Sequence, residues 1–281
     1  MKKANPEYSI HELCSLFQLS ERTYYAQIRP KVINNEQLKL MSAIKAISAE
    51  TGATYGRRRM RAALVLRGFK LGIHRTVSLM KQAKVRAIRP SRKHYYPNTG
   101  KAHFLALNLL DRQFNPEQAN RYWVGDITYI RTHQGWSYLA CVLDLATKEI
   151  VGWAMSTSPN AALAKAALSH AIRRQKPELL KLMFHSDQGV QYSANIFVKY
   201  LATLKVTQSM SRRGNCWDNS VMERFFRSLK SERLNHVKFI HHDAAARTIE
   251  SYIYFYNYKR LHSSLGYITP VQKMAELQKA A

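Results

Sequence analysis

A mixed α/β sheet covered by helices, preceded by a small all-α basic region, is the fold class the sequence predicts. Three observations carry this expectation. After about residue 115, strand-like and helix-like segments follow in the order β-β-β-α-β-α-β-α, the grammar of a sheet with helices on its faces. Before that point, apolar residues recur at spacings of three and four, as in helices. The two parts also differ in charge: from Thr51 to Leu110 there is no Asp or Glu, against fourteen Lys or Arg.

The whole chain is basic. Its 281 residues hold 44 Lys+Arg against 18 Asp+Glu, a formal net charge of +26, with 46% apolar residues. That length and apolar content support one large core with one or two small modules. A cationic excess of this size calls for a polyanion, and an acid-free stretch of some sixty residues is not the mixed-sign surface of an ordinary solvated helix. Nucleic acid is favoured over a membrane, because no run approaches the roughly 18 uninterrupted apolar residues of a spanning helix. "YLACVLDLATKEIVGWAM", the most apolar segment, is broken by Asp144, Lys148 and Glu149. "MKKANPEYSIHEL" lacks the apolar core of a signal peptide, and Cys14, Cys141 and Cys216 form no C-x-x-C pair. A cytoplasmic, reduced protein is expected.

The first fifty residues read as a helical segment. In "SIHELCSLFQLSERTYYAQI", Ser9 and Ser20 suit N-caps, and Glu12 completes a capping box with Ser9. Ile10, Leu13, Leu16 and Leu19 are expected to pack one face. His11 and Cys14 have no second ligand pair at zinc-finger spacing, so they belong to the helix. "NNEQLKLMSAIKAIS" is a further helix.

Residues 51–88 read as a helix-turn-helix. Its first helix, Arg57 to Leu66, aligns Met60, Ala63, Leu64 and Arg67, and Gly68 stops it. "FKLGI" turns the chain, and "HRTVSLMKQAKV" gives the second helix with Val77, Met80 and Val85 inward. Arg57, Arg58, Arg59, Arg75, Lys81 and Lys84 are its candidate DNA contacts. Residues 89–114, opening with "RPSRKHYYPNTG", read as a basic linker, and 115–275 as the main domain with a C-terminal helix.

In that domain "RYWVGDITYIRT", "GWSYLACVLDLAT" and "EIVGWAMST" are three strands at hairpin spacing, an antiparallel meander. The helix "NAALAKAALSHAIRRQ" follows, then the strand "LLKLMFH", the helix "SANIFVKYLATLK", the strand "VTQSM", a glycine loop and the helix "SVMERFFRSLKSERL".

Ligands of open α/β sheets gather at strand ends. Asp126 in the first strand, Asp187 just past the fourth and Glu223 early in the last of these helices fall in such places. Each has a local reading too: Asp126 and Asp187 as residues bonding nearby backbone, Glu223 as the third position of a capping box opened by Ser220. Taken together they point elsewhere, since acids near a phosphate channel repel the ligand unless a metal lies between. Oxygen donors select Mg²⁺ or Mn²⁺. Two such ions, roughly 3.5–4 Å apart, hold the attacking and leaving oxygens of an in-line phosphoryl displacement. At 100° per residue, Val221, Met222, Phe225, Phe226 and Leu229 share one arc of the helix, with Glu223, Arg227 and Lys230 on the adjoining polar stripe. That stripe also suits a surface ion pair.

Four stretches occur in order: "YWVGDITYI", "FHSDQGVQY", "NCWDNSVMERFFRSLKSE" and "YNYKRLHSSLGYITP". Sixty residues separate Asp126 from Asp187, and 35 separate Asp187 from Glu223. With these the chain resembles the OrfB-type DDE transposases of the two-frame bacterial insertion sequences (the IS-three family), whose catalytic core is similar to retroviral integrase. The resemblance spans nearly all of residues 51 to 275. It implies a ribonuclease H-like core of five strands with flanking helices, and Asp126, Asp187 and Glu223 as a catalytic triad holding two Mg²⁺ ions, replaceable by Mn²⁺. Lys230 matches a basic position that contacts the DNA end, with Arg227 beside it. The implied chemistry has no covalent protein–DNA intermediate: water nicks the element end, and the freed 3′-OH attacks a phosphodiester. Implied partners are double-stranded DNA, as element ends and target, an OrfA or OrfA–OrfB fusion product, and further copies of the chain on DNA at the bacterial nucleoid. The chain has no sustained heptad repeat, so the zipper that OrfA supplies in this family is not found in it.

Two other classes share the same charge pattern: a non-catalytic DNA-binding accessory or regulatory subunit that needs OrfA, and a nuclease of the same fold that cuts without joining. Trp217, Asn219, Tyr192 and His185 flank the triad and are expected to shape loops. Lys259, Arg260 and His262 either bind DNA or pack with the neighbouring tyrosines.

Overall fold

Helices come first along the chain, and their caps follow from sequence. The computed structural model describes residues 7–28, 35–88, 106–212 and 216–280. Helix α1 (Ile10–Leu16) opens on the Ser9–Glu12 capping box, and Ser20 Oγ accepts from Thr23 N ahead of α2 (Glu21–Ile28). The expected apolar face is only partly used. Leu13 and Cys14 are buried, whereas Leu16 and Leu19 are exposed, because α1 packs chiefly on the short α2. His11 bonds Glu21 at 2.8 Å, consistent with a helical rather than a zinc role.

Helices α3 (Asn35–Glu50), α4 (Arg57–Leu66) and α5 (Ile73–Gln82) pack on one another. The helical unit therefore takes in α3 as well as the pair expected over 51–88. Gly68, at φ +86°, ends α4: its N–H donates to Val65 O, and Phe69 N–H donates to Leu64 O. The inward face of α5 is Thr76, Leu79 and Met80, while Val77 is exposed, a correction to the expected phase. Thr76 can be buried because its hydroxyl donates to Gly72 O at 2.9 Å.

The sheet is five-stranded with the order β3-β2-β1-β4-β5: β1 (Tyr122–Thr132), β2 (Gly135–Asp144), β3 (Ile150–Ser156), β4 (Met183–Ser186) and β5 (Thr207–Met210). β1 to β3 form the expected antiparallel meander, and β4 and β5 run parallel to β1. The turn between β2 and β3 is held by buried Asp144, which accepts from Thr147 N and Oγ1 and from Asn120 N. The sheet is the mixed five-stranded one, with helices on both faces, that the resemblance implied.

One face carries α6 (Ala161–Gln175), capped by Asn160, together with α7 (Val190–Ser193) and α8 (Asn195–Thr203). The expected strand "LLKLMFH" is shorter than its apolar run, because Leu179–Lys181 winds into a 3₁₀ turn. Residues 106–110, the far end of the expected linker, lie on β5, where Ser209 Oγ accepts from Leu109 and Leu110 N–H. The linker from 89 to 105 and the glycine loop at 213–215 lie outside the described residues.

The other face carries α9 (Ser220–Glu232) and α10 (His242–Tyr258), with α11 (Pro270–Ala280) against α10. Met222, Phe225, Phe226 and Leu229 of α9 are buried there, each adding about 1.5–3 kcal/mol of transfer free energy. The same apolar cluster continues into α3, α4 and α5, so the N-terminal helices are docked on the core. Tyr55 joins them through its hydroxyl, which donates to Lys259 O and accepts from Leu261 N.

Candidate active site

Gly125 and Ser186 are the last residues paired between parallel strands β1 and β4. Asp126, inside β1, and Asp187, just past the end of β4, come next, so the two acids stand at one level of adjacent strands about 4.8 Å apart. Glycine at 125 leaves room for the Phe184 ring, since an added Cβ would lie 2.3 Å from Phe184 Cζ. Each carboxylate is steadied by its own backbone. Asp126 Oδ1 accepts from Ile127 N at 2.7 Å, and Asp187 Oδ1 accepts from Gly189 N at 3.0 Å. The local readings of these two acids are thus correct, and each uses one oxygen of two.

Glu223 comes from the opposite side, on the first turn of α9, which packs over β1. Its capping-box reading fails. Ser220 is already helical after a 3₁₀ turn over Cys216–Asn219, and the N-cap Asn219 makes no side-chain bond. Glu223 is exposed, one stripe away from the buried face that fixes the helix.

The electrostatics tie the acids together. Burial pushes the Asp126 carboxyl well above the ordinary range, the Asp187 charge raises it further and Glu223 adds to it; the Ile127 N–H and the Lys230 ammonium act in the opposite direction. Burial also raises Asp187, against the Gly189 N–H, and burial raises Glu223. A cation between the carboxylates would relieve this cost. Among the described residues no three His, Cys, Asp or Glu side chains stand close enough together to hold a metal ion. The donor set nonetheless fits a hard divalent ion: it is all oxygen, and Asp126 and Asp187 each keep an oxygen that makes no protein hydrogen bond. Neither Cys141, opposite Asp126 in β2, nor Tyr192 is a ready nucleophile. Both are buried, and burial followed by the Asp126 charge holds the thiol and phenol well above their ordinary pKa values.

Comparison with known proteins agrees with this arrangement. Profiles described as Integrase core domain match residues 116–216 and 204–270, and one described as HTH-like domain matches 35–93. The chain is 37% identical over 263 residues to the insertion element IS600 uncharacterized 31 kDa protein of Shigella sonnei, covering 92% of this chain and 96% of that one. It is 33% identical over 280 residues to the transposase InsF for insertion sequence IS3A of Escherichia coli K12, covering 97% and 96%. The chain belongs to the InsF transposases of the IS3 family. A remoter likeness in fold is to the HTLV-2 integrase catalytic core, at 15% identity and a TM-score of 0.44, covering 55% of this chain and 96% of that one.

In this InsF-type transposase the integrase-core matches contain all three acids, and the HTH-like match contains α3 to α5. The basic candidates divide by their partners. Arg57 and Arg58 are exposed at the start of α4, where they line a cavity of about 520 Å³ with Ser263 and Tyr267. Lys81, Lys84 and Arg227 are exposed as well. Arg59 is turned to Glu232 at 3.6 Å, and Arg75 to Glu36 at 3.3 Å. Lys230 Nζ lies 4.7 Å from the centre of the Tyr129 ring.

Several flanking residues are structural. His185 is buried between Ser209 and Ser211, and burial lowers its pKa to about 4, so the ring is neutral at pH 7. Arg260 and His262 are buried under α10, which removes them as DNA contacts, while Lys259 stays exposed beside Tyr254. The Trp217 side chain lies outside the described residues. Sequence reasoning missed Asp218, whose carboxylate has no exposed surface and receives Arg112 and Arg212 together with Asn108. Burial opposes ionisation there, but the hydrogen bonds from both arginines outweigh it and hold the carboxyl below the usual range. This clamp ties the segment before α9 to the chain entering the sheet. Asn108 and Arg112 lie more than 100 positions from Asp218, and only its place in the "NCWDNS" motif marked it.

Proposed function

We propose that this transposase nicks the ends of its element and joins them to target DNA, with Asp126, Asp187 and Glu223 as the ligands of two Mg²⁺ ions. The observation that carries the reading is the placing of Asp126 and Asp187 one step past the last pair of adjacent parallel strands, with Glu223 acting on the Asp126 charge from α9. When bound, the ions supply Lewis-acid stabilisation of the attacking and leaving oxygens. Mn²⁺ would substitute.

The chain's own residues hold the DNA and the acids in place. Lys230 offsets negative charge at Asp126 and lies where a phosphate on its way to the acids would pass. Arg57, Arg58, Lys81, Lys84 and Arg227 have exposed side chains suited to backbone phosphates, and their contribution would fall steeply with salt. In the first step a water oxygen bonds to phosphorus and the bond to the 3′ oxygen breaks, which leaves a 3′-OH. In the second, that 3′ oxygen bonds to a target phosphorus and displaces the target's own 3′ oxygen. Each step is one in-line exchange, so no protein nucleophile is used.

The test is an assay on double-stranded DNA carrying the element's ends, with Mg²⁺, scoring nicked and joined products separately, with and without an OrfA partner. Nicking and joining that both stop on chelation support the reading. Nicking without joining, even with OrfA, would make the protein a nuclease, and tight binding without either product would make it an accessory subunit. Lys230→Ala should cut joining at least about tenfold while metal-induced thermal stabilisation persists; unchanged joining would remove Lys230 from the site.

A further inference from the structure

β4 covers β1 only as far as Gly125, so beyond Asp126 the strand continues as a hairpin with β2, bridged near its tip by Thr132 to Phe239 of the segment after α9. A cleft of about 700 Å³ lies between this hairpin and the segment that follows α9. Among the described residues that line it, the cations are Arg131, Lys230 and Lys238, and there is no Asp or Glu. Its aromatic rings, Tyr129 and Trp136, are 51% and 47% exposed, much more than large aromatics usually are. They meet edge to face at 5.3 Å; Arg131 lies 5.9 Å from the Trp136 ring centre and Lys230 lies 4.7 Å from that of Tyr129.

A cross-strand aromatic pair can simply stabilise a hairpin. That account leaves out the rest of the cleft, whose described lining sets a cation beside each ring and includes no Asp or Glu. Cations alone would suit the backbone of any nucleic acid. Half-exposed rings add something a duplex cannot use, because its bases are already stacked on each other; an unpaired base can stack on them. The position is equally specific. Tyr129 is three residues beyond Asp126 on one extended strand, about 10 Å away, and Lys230 faces both.

We propose that this cleft is a subsite for an unpaired, single-stranded stretch of DNA beside the reacting phosphate, with Tyr129 and Trp136 stacking a base and Arg131 and Lys238 holding the flanking phosphates. The inference rests on the DNA strand-transfer reading above. It explains why an exposed aromatic pair sits on a strand that also carries Asp126. Opening of the duplex end at the acids would be favoured by the stacking available next to it.

The test measures binding by the full-length Asp187→Asn protein in chelator, so that catalysis plays no part. The probes are a duplex element end with all bases paired, and the same end with its terminal bases mismatched and carrying 2-aminopurine in the unpaired segment. The Asp187→Asn protein should prefer the mismatched end and quench the 2-aminopurine. Adding Tyr129→Ala and Trp136→Ala should weaken binding of the mismatched end at least about fivefold per stacked base and leave the paired end unchanged. Phe at both positions should restore the preference, which separates lost stacking from misfolding. Equal affinity for the two probes without quenching, or equal losses on both in the Ala variant, would overturn the subsite. A failure of strand transfer itself would appear in the cleavage assay and leave this binding comparison readable.

Discussion

Glu232, at the end of α9, offers a sharp test of how the helix bearing Glu223 is held. Its carboxylate accepts from Arg260 Nε at 3.0 Å and Nη2 at 2.6 Å and from the Tyr252 hydroxyl at 2.9 Å, and it faces Arg59 of α4 at 3.6 Å. The side chains of Glu232 and Arg260 are 11% and 5% exposed, so the pair belongs with buried ion pairs rather than surface ones worth 0–1 kcal/mol. Burial by itself would lower the Arg260 pKa, but the Glu232 hydrogen bonds outweigh it and raise it. Glu232→Gln keeps the shape and strands two guanidinium groups. Removing one partner of such a pair costs about 3–5 kcal/mol, and because Gln retains an acceptor we expect about 3. Urea unfolding should show it as a midpoint lower by about 1 M, for a slope of roughly 3 kcal/mol/M. Glu232→Leu with Arg260→Met should recover most of the loss, since an apolar pair pays no desolvation cost. A Glu232→Gln protein within about 0.5 kcal/mol of wild type would refute the buried network.

Three further outcomes follow from named contacts. His262 is buried edge-on to Tyr256; burial first, then the Arg260 and Arg59 charges, lower its pKa to about 3. As pH falls below about 6.5 the unfolded chain takes up this proton before the folded one, so up to about 5 kcal/mol of stability, fully present above that pH, is lost toward pH 3. His262→Phe should flatten that acid limb in unfolding measured from pH 7 to 4, and an unchanged slope would contradict the assignment. Gly125→Ala should cost about 1–3 kcal/mol by thermal or urea unfolding, because the new methyl must displace the Phe184 ring; wild-type stability would show that β4 yields freely there. Asp218→Ala should leave Arg112 and Arg212 without their shared anion and loosen the segment before α9, seen as faster amide exchange there; unchanged exchange would mean the clamp is dispensable.

Local order was well written in the sequence. The meander followed from alternation and tight turns, and the end of α4 from Gly68. The acids were found because strand ends and motif order marked them, before any distance was known. What escaped depends on long-range packing. The phase of α5 turned on Thr76 bonding its own backbone, which apolar spacing cannot anticipate. Leu16 and Leu19 have the pattern of a buried face without the burial. Glu232 with Arg260, and Asp218 with Arg112, pair across 28 and 106 positions, and charge counting along the chain is blind to such partners. The aromatic cleft was hidden likewise, because it joins a hairpin to the segment after α9.

The central claim is that Asp187, with Asp126 and Glu223, holds the metal ions that drive strand transfer. The most direct measurement is the rate of nicking and joining by Asp187→Asn beside wild type, on the element's own ends in Mg²⁺, with folding checked by unfolding midpoint. Loss of even an outer-shell partner costs 10–100-fold, so removal of a ligand charge should slow both steps by at least about a hundredfold in a protein that still folds and binds the ends. Equal rates in a folded Asp187→Asn protein would contradict the account.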